Sequence, residues 1–310
     1  MRSSACFKSV RRAFILAGGL SFVMLTGCPN LTQVQQLATT ADGAKTAAAT
    51  IAGDFSASCD RQNRVLKGSC NDAVKKDLAQ VGTNLAAEQS ILFAYFDNLG
   101  KLSSADATGF ETAAPNLNTS FQNAGLSTTQ QAMAGAAGSL AADITKLVTL
   151  GYREKEILEI LKSADGPVQT LTSGLANQVA PDVPDTYAET PCAFTPPAGT
   201  PPSYLTELCN ENLNVHSYYD VPLAGEKDPA IVLLLQAQYD SAIAQLQTRE
   251  AAALAYRKLM LPLGTAHSKL LASSAKGDFN ADAVKAIAQA LSGPLSDMAN
   301  AINTLQKDAR

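Results

Sequence analysis

Residues 229–275, PAIVLLLQAQYDSAIAQLQTREAAALAYRKLMLPLGTAHSKLLASSA, decide the fold class. Val232, Leu235, Tyr239, Ala242, Leu246, Arg249, Ala253, Tyr256, Met260, Leu263, His267 and Leu270 recur at alternating steps of three and four residues. That spacing lines one face of a helix and no face of a strand. Asp228 offers an N-cap directly before Pro229, a residue suited to the first helical position. At 1.5 Å per residue the stretch reaches about 70 Å if continuous. Pro262 lies inside it and predicts a bend rather than a break.

Similar stripes lie on either side. Val34, Leu37, Ala41, Ala44, Ala48, Ile51 and Phe55 form the first. Val74, Leu78, Val81, Leu85, Glu88, Leu92, Tyr95, Leu99 and Leu102 form the second. Met133, Ala137, Leu140, Ile144 and Leu147 give a third, broken register, and Val284, Ile287, Leu291, Leu295, Met298, Ile302 and Leu305 a last one. No comparable stretch alternates with period two. The expected fold is all-α: an elongated antiparallel bundle with coiled-coil-like packing. Ser127 with Gln130 makes a capping-box pattern, and Asn280 can cap the final helix. Gly100, Gly151, Gly166-Pro167 and Gly293-Pro294 mark stops or kinks.

Residues 181–228 depart from the pattern, with eight of the chain's 14 prolines and four of its eight tyrosines. They are expected to form a long Pro- and Tyr-rich loop between two parts of one bundle, residues 28–180 and 229–310. Its tyrosines Tyr187, Tyr204, Tyr218 and Tyr219 serve either as a partner surface or as a cap over one end of the bundle. Glu88 and Arg249 interrupt otherwise apolar seams near the middles of their helices. A buried polar pair between them would fix register at some cost in stability.

The N-terminus carries an address. Arg2, Lys8, Arg11 and Arg12 precede the apolar run Ala13–Thr26, and no acid occurs before Cys28. A charged flank, a short apolar core and a small residue before the cut are the layout of an export signal, here residues 1–27. The run is shorter than the ~20 residues of a spanning helix. Leu25-Thr26-Gly27-Cys28 resembles the bacterial lipobox at all four positions. The resemblance implies cleavage before Cys28, a diacylglyceryl thioether on its sulfur and an acylated α-amine. Several acyl chains make such an anchor durable. Pro29, rather than Asp, follows the cysteine, which by analogy with enteric lipoproteins favours the outer membrane, with the protein facing the periplasm. Only Pro29 and Asn30 separate Cys28 from the first helix, so the bundle is expected to sit on the bilayer surface without a long tether.

Export also accounts for the cysteines. Of six, Cys6 leaves with the signal and Cys28 is lipidated; the four that remain admit three pairings. Short loops close at lower entropic cost, which predicts Cys59–Cys70 and Cys192–Cys209 in an oxidising compartment. Neither spacing resembles a zinc clamp. Without residues 1–27 the net charge is −8, which disfavours nucleic-acid backbones and anionic headgroups as partners.

Signals for catalysis are sparse. The two histidines, His216 and His267, stand outside any H-E-x-x-H pattern, and there is neither G-x-S-x-G nor a Gly-rich phosphate loop. Ser273-Ser274-Ala275-Lys276 matches S-x-x-K, yet the accompanying S-D-N and K-T-G patterns are missing. His216 beside Tyr218, Tyr219 and Asp220 is too small a set to define a metal site. The chain is therefore expected to be non-enzymatic, with no cofactor or metal. Its expected role is an envelope scaffold or interaction module held to the membrane through Cys28, with an envelope protein as partner. The alternative is a helical lipoprotein that binds a small molecule or lipid.

Overall fold

The structure, a computed structural model, describes residues 32–103, 128–150, 154–181, 202–274 and 281–308. Residues 1–31 lie outside this set, and with them the expected export signal, the lipobox-like Leu25-Thr26-Gly27 and Cys28. The elements are α1 (Thr32–Ser56), α2 (Ser58–Val65), α3 (Asp72–Ser103), α4 (Thr128–Leu150), α5 (Glu154–Val179), α6 (Tyr204–Gly225), α7 (Pro229–Ser274) and α8 (Ala281–Asp308). No strand occurs among the described residues. The chain is an all-α bundle, as the periodicity requires.

The first stripe is buried from Val34 to Phe55 at every position. It packs on α3, which runs antiparallel to it. Two glycines allow the two helices to approach closely. A Cβ on Gly82 would lie 2.9 Å from the Ala52 carbonyl oxygen and would strike the Ser56 side chain, and one on Gly100 would strike the Ala38 Cβ. Gly100 therefore serves packing, not termination, and α3 continues through it to Ser103. In α4, Met133, Ala137 and Leu140 are buried as expected. In α8, Leu291, Met298, Ile302 and Leu305 are buried.

Prolines 167, 262 and 294 sit inside continuous helices. Each lacks an amide donor, but the surrounding turns keep the helix. The Asp228 cap forms as its chemistry demands: the Ala230 amide donates to Asp228 Oδ1 at 2.8 Å and the Val232 amide to its carbonyl at 2.9 Å. The other expected caps, Ser127 and Asn280, fall outside the described residues, immediately before α4 and α8.

Two elements depart from expectation. The presumed loop 181–228 is helical over Tyr204–Gly225. Ser203 caps it, accepting the Thr206 amide at 3.1 Å, and Pro222 is carried near its end. In α5, which carried no assigned stripe, Leu161, Ala164, Val168, Leu171, Leu175 and Val179 are buried against α4 and α7.

Helix α7, at 46 residues, spans about 69 Å and changes surroundings along its length. From Leu246 onward its stripe is buried, whereas Val232, Leu235, Tyr239 and Ala242 are only half-buried, facing α6. Buried positions in α6 end at Val215. The last turns of α6 and the first of α7 thus form a two-helix hairpin that projects roughly 15–25 Å past the core. Arg249 meets Asp54 near the end of α1, and His267 meets Tyr95 toward the end where Ala38 and Gly100 touch. The hairpin consequently leaves the bundle at the end opposite the start of α1.

Candidate functional site

The root of the hairpin is where α1 ends and α2, α6 and α7 converge. The Cys59–Cys70 disulfide forms there, with the Cα atoms 5.5 Å apart. It ties the short α2 to the turn that leads into α3. Within that turn Asn63 accepts the Gly68 and Cys70 amides at 3.2 and 3.1 Å. Eight residues make a weak helix on their own, so the crosslink and this asparagine hold Arg61, Gln62 and Arg64 in place. Cys209, in α6, is disulfide-bonded; its expected partner Cys192 lies outside the described residues.

Asp54 occupies the last turn of α1, where the helix dipole opposes a negative charge. Three donors offset that cost. Arg61 Nη1 lies 2.9 Å from Asp54 Oδ1 and donates to the Asp54 carbonyl oxygen at 2.7 Å. The Tyr204 hydroxyl donates to Asp54 Oδ2. Arg249 Nε approaches both carboxylate oxygens at 3.4 Å. Arg61 also forms a two-pronged pair with Glu211, through Nε at 2.9 Å and Nη2 at 2.7 Å. Burial works against the Arg61 charge, but the Glu211 hydrogen bond and the neighbouring carboxylates outweigh it and raise its pKa. Burial pushes the Glu211 carboxyl upward, against the pull of Arg61. One turn away, Gln62 donates to Glu207 at 3.1 Å and accepts from Asn214 at 3.4 Å. Burial raises Glu207 as well.

Beside this network lies a cavity of about 410 Å³. It is lined by the charged Asp54, Arg61, Arg64, Glu211 and Arg249 together with the apolar Val65, Val215, Ala242 and Leu246.

The anticipated pair of Glu88 and Arg249 does not form. Both are buried, but Arg249 turns to Asp54 and to the Gln245 carbonyl, while Glu88 accepts from Gln178 Nε2 at 3.2 Å. The register explains the mismatch. Gln89 reaches Tyr256, at 3.0 Å, which lies two helical turns beyond Arg249, about 10 Å away.

The four tyrosines separate in the same way. Tyr204 is fully buried against Phe55, with ring centres 5.6 Å apart, and is no partner surface. Its expected exposure rested on a loop that is in fact a helix. Tyr218 is exposed, Tyr219 is half-buried against Tyr239, and Tyr187 lies outside the described residues. Exposed aliphatic residues on the hairpin were not anticipated: Leu213 (59 %), Val221 (76 %), Leu233 (72 %) and Leu234 (58 %). The signal was present, since Leu233 and Leu234 fall between the stripe positions Val232 and Leu235. A helix that offers apolar groups on more than one face must bury more than one.

His267 is fully buried, as its seam position suggests, with Nε2 2.8 Å from the Tyr95 hydroxyl and Nδ1 3.0 Å from Asp165. Burial lowers its pKa against the pull of Asp165. The resulting neutral ring donates from Nδ1 to the carboxylate and accepts from the tyrosine. His216 Nδ1 lies 3.1 Å from the Tyr239 hydroxyl. Ser273, of the S-x-x-K sequence, donates to the Leu270 carbonyl of its own helix at 2.8 Å. No helix among the described residues is long and apolar enough to cross a membrane. Comparison of the chain with protein-family models, curated proteins and solved structures finds no significant match.

Proposed function

We propose that this chain is a lipid-anchored, non-enzymatic cell-envelope protein that acts as an interaction module, presenting the α6–α7 hairpin to a protein partner. One observation carries the reading. Leu213, Val221, Leu233 and Leu234 are exposed on a hairpin that leaves the bundle at the end opposite the start of α1. A lipid on Cys28, four positions before the first residue of α1, would direct that hairpin away from the bilayer. Hairpin residues 212–245 hold four acids, Asp220, Glu226, Asp228 and Asp240, and one base, Lys227. The fitting partner is a helical protein with an apolar strip edged by Lys or Arg.

The test is a photocrosslinking residue at Leu233 in the full-length protein in cells. A discrete adduct is expected, lost on Leu234→Glu or Leu213→Glu. Both positions are exposed, so the fold should survive either change. No discrete adduct, or one indifferent to the two charges, removes the proposal. Cys28→Ala should abolish fatty-acid incorporation and membrane fractionation; unchanged labelling removes the anchor.

A second reading, binding of a small molecule between helices, draws on the cavity at the hairpin's root.

A further inference from the structure

Deepening that second reading, we propose that the cavity binds a small organic anion. Its carboxylate or phosphate-monoester group would lie between Arg64 and Arg249, with its apolar body against Val65, Val215 and Leu246. The charge arrangement is the first ground. Three guanidinium groups and two carboxylates line the wall. Arg61 is fully engaged, with Glu211 on one edge and Asp54 on the other. Asp54 is shared among Arg61, Tyr204 and Arg249, and its distance to Arg249, 3.4 Å, is the longest of the set. Arg249 gives Nη1 to the Gln245 carbonyl, which leaves Nη2 without a hydrogen-bond partner among the described residues. Arg64 is exposed at the cavity's edge and makes no ion pair among them. One positive charge is thus in excess, and donor capacity remains on two guanidinium groups.

Shape and dielectric are the second ground. About 410 Å³ is near the lower end of small-molecule sites. Arg249 is 8 % exposed, so an anion reaching it meets a charge that bulk water screens poorly. Planar guanidinium groups favour the two oxygens of a carboxylate or phosphate. Val65, Val215, Ala242 and Leu246 also line the cavity, which disfavours a bare inorganic ion as the best fit and asks for a short hydrocarbon or aromatic body. A cationic ligand is disfavoured because both carboxylates already hold arginine.

Isothermal titration calorimetry on the full, disulfide-bonded chain tests this, with hexanoate and phenyl phosphate as probes and hexanol and hexylamine as controls. Saturable binding of both anions is expected, with the controls about tenfold weaker or more. Arg64→Ala should weaken the anions roughly fivefold or more and leave the fold intact, because the residue is exposed. Added chloride should compete. Hexanol binding as well as hexanoate, anion affinity unchanged by Arg64→Ala, or no saturable binding at millimolar concentration would each overturn the proposal. Leu233→Ser should leave anion binding unaffected. A chain that binds the anions without crosslinking removes only the docking proposal. One that crosslinks without binding them removes only this one.

Discussion

Glu88 is held in its protonated form at neutral pH, because burial raises its carboxyl from the ordinary 4.5 to about 8 against the Gln178 hydrogen bond. The unfolded chain releases this proton near 4.5 and the folded chain near 8, so between these values the unfolded state binds fewer protons. Stability should therefore be greatest below pH 4.5 as far as Glu88 is concerned, fall as pH rises through the window, and level off above about 8. Glu88→Gln should flatten that limb and stabilise the protein at pH 8 by roughly 1–3 kcal/mol, measured by urea unfolding at pH 5 and pH 8. His267 has the opposite sign. Its lowered pKa means that the unfolded chain takes up a proton first as pH falls below 6.5, so stability should drop on the acid side in the same series. The polar interruptions at Glu88 and Arg249 were legible as buried sites because each stands on an apolar stripe. Their partners were not. Asp54 and Gln178 lie beside the stripes of their own helices, and which turn faces which is set by the register between helices, which a single sequence does not specify.

At the scale of the element, α2 shows how a short helix becomes a reliable platform. It presents Arg61 to Asp54 and Glu211 while bound by the Cys59–Cys70 crosslink. Cys59→Ala with Cys70→Ala should cost roughly 2–3 kcal/mol, read from thermal or urea unfolding, and should weaken anion binding at the cavity because α2 carries two of its arginines. The pairing was predictable from loop entropy, but the helix within the loop was not. Its sequence, SCDRQNRV, has no apolar stripe and draws its order from the crosslink and from the ion pairs of Arg61 with Glu211 on α6 and Asp54 on α1. Helix α6 was hidden for a different reason. Its prolines and tyrosines look like a loop by composition, yet Pro222 sits near the end and Tyr204, Leu205, Leu208 and Val215 give it a buried face. Helix α7 was legible throughout, because twelve stripe positions outweigh one proline.

Across the whole molecule, one helix joins regions of very different support. The part of α7 beyond Leu246 is enclosed by α5, α8 and α1, whereas residues 229–245, largely exposed or half-buried, lean chiefly on α6 among the described residues. Backbone hydrogen bonds in the projecting half can therefore open without disturbing the core. By amide hydrogen exchange the helix should behave as two: rapid exchange over residues 229–245, and protection close to the global unfolding free energy from Ala252 to Leu270. Equal protection along its length would show that the hairpin is braced by something besides α6. A partner seated on Leu233 and Leu234 would slow exchange in the first half only, so that occupancy of the far end could be followed by deuterium uptake without knowing what the partner is.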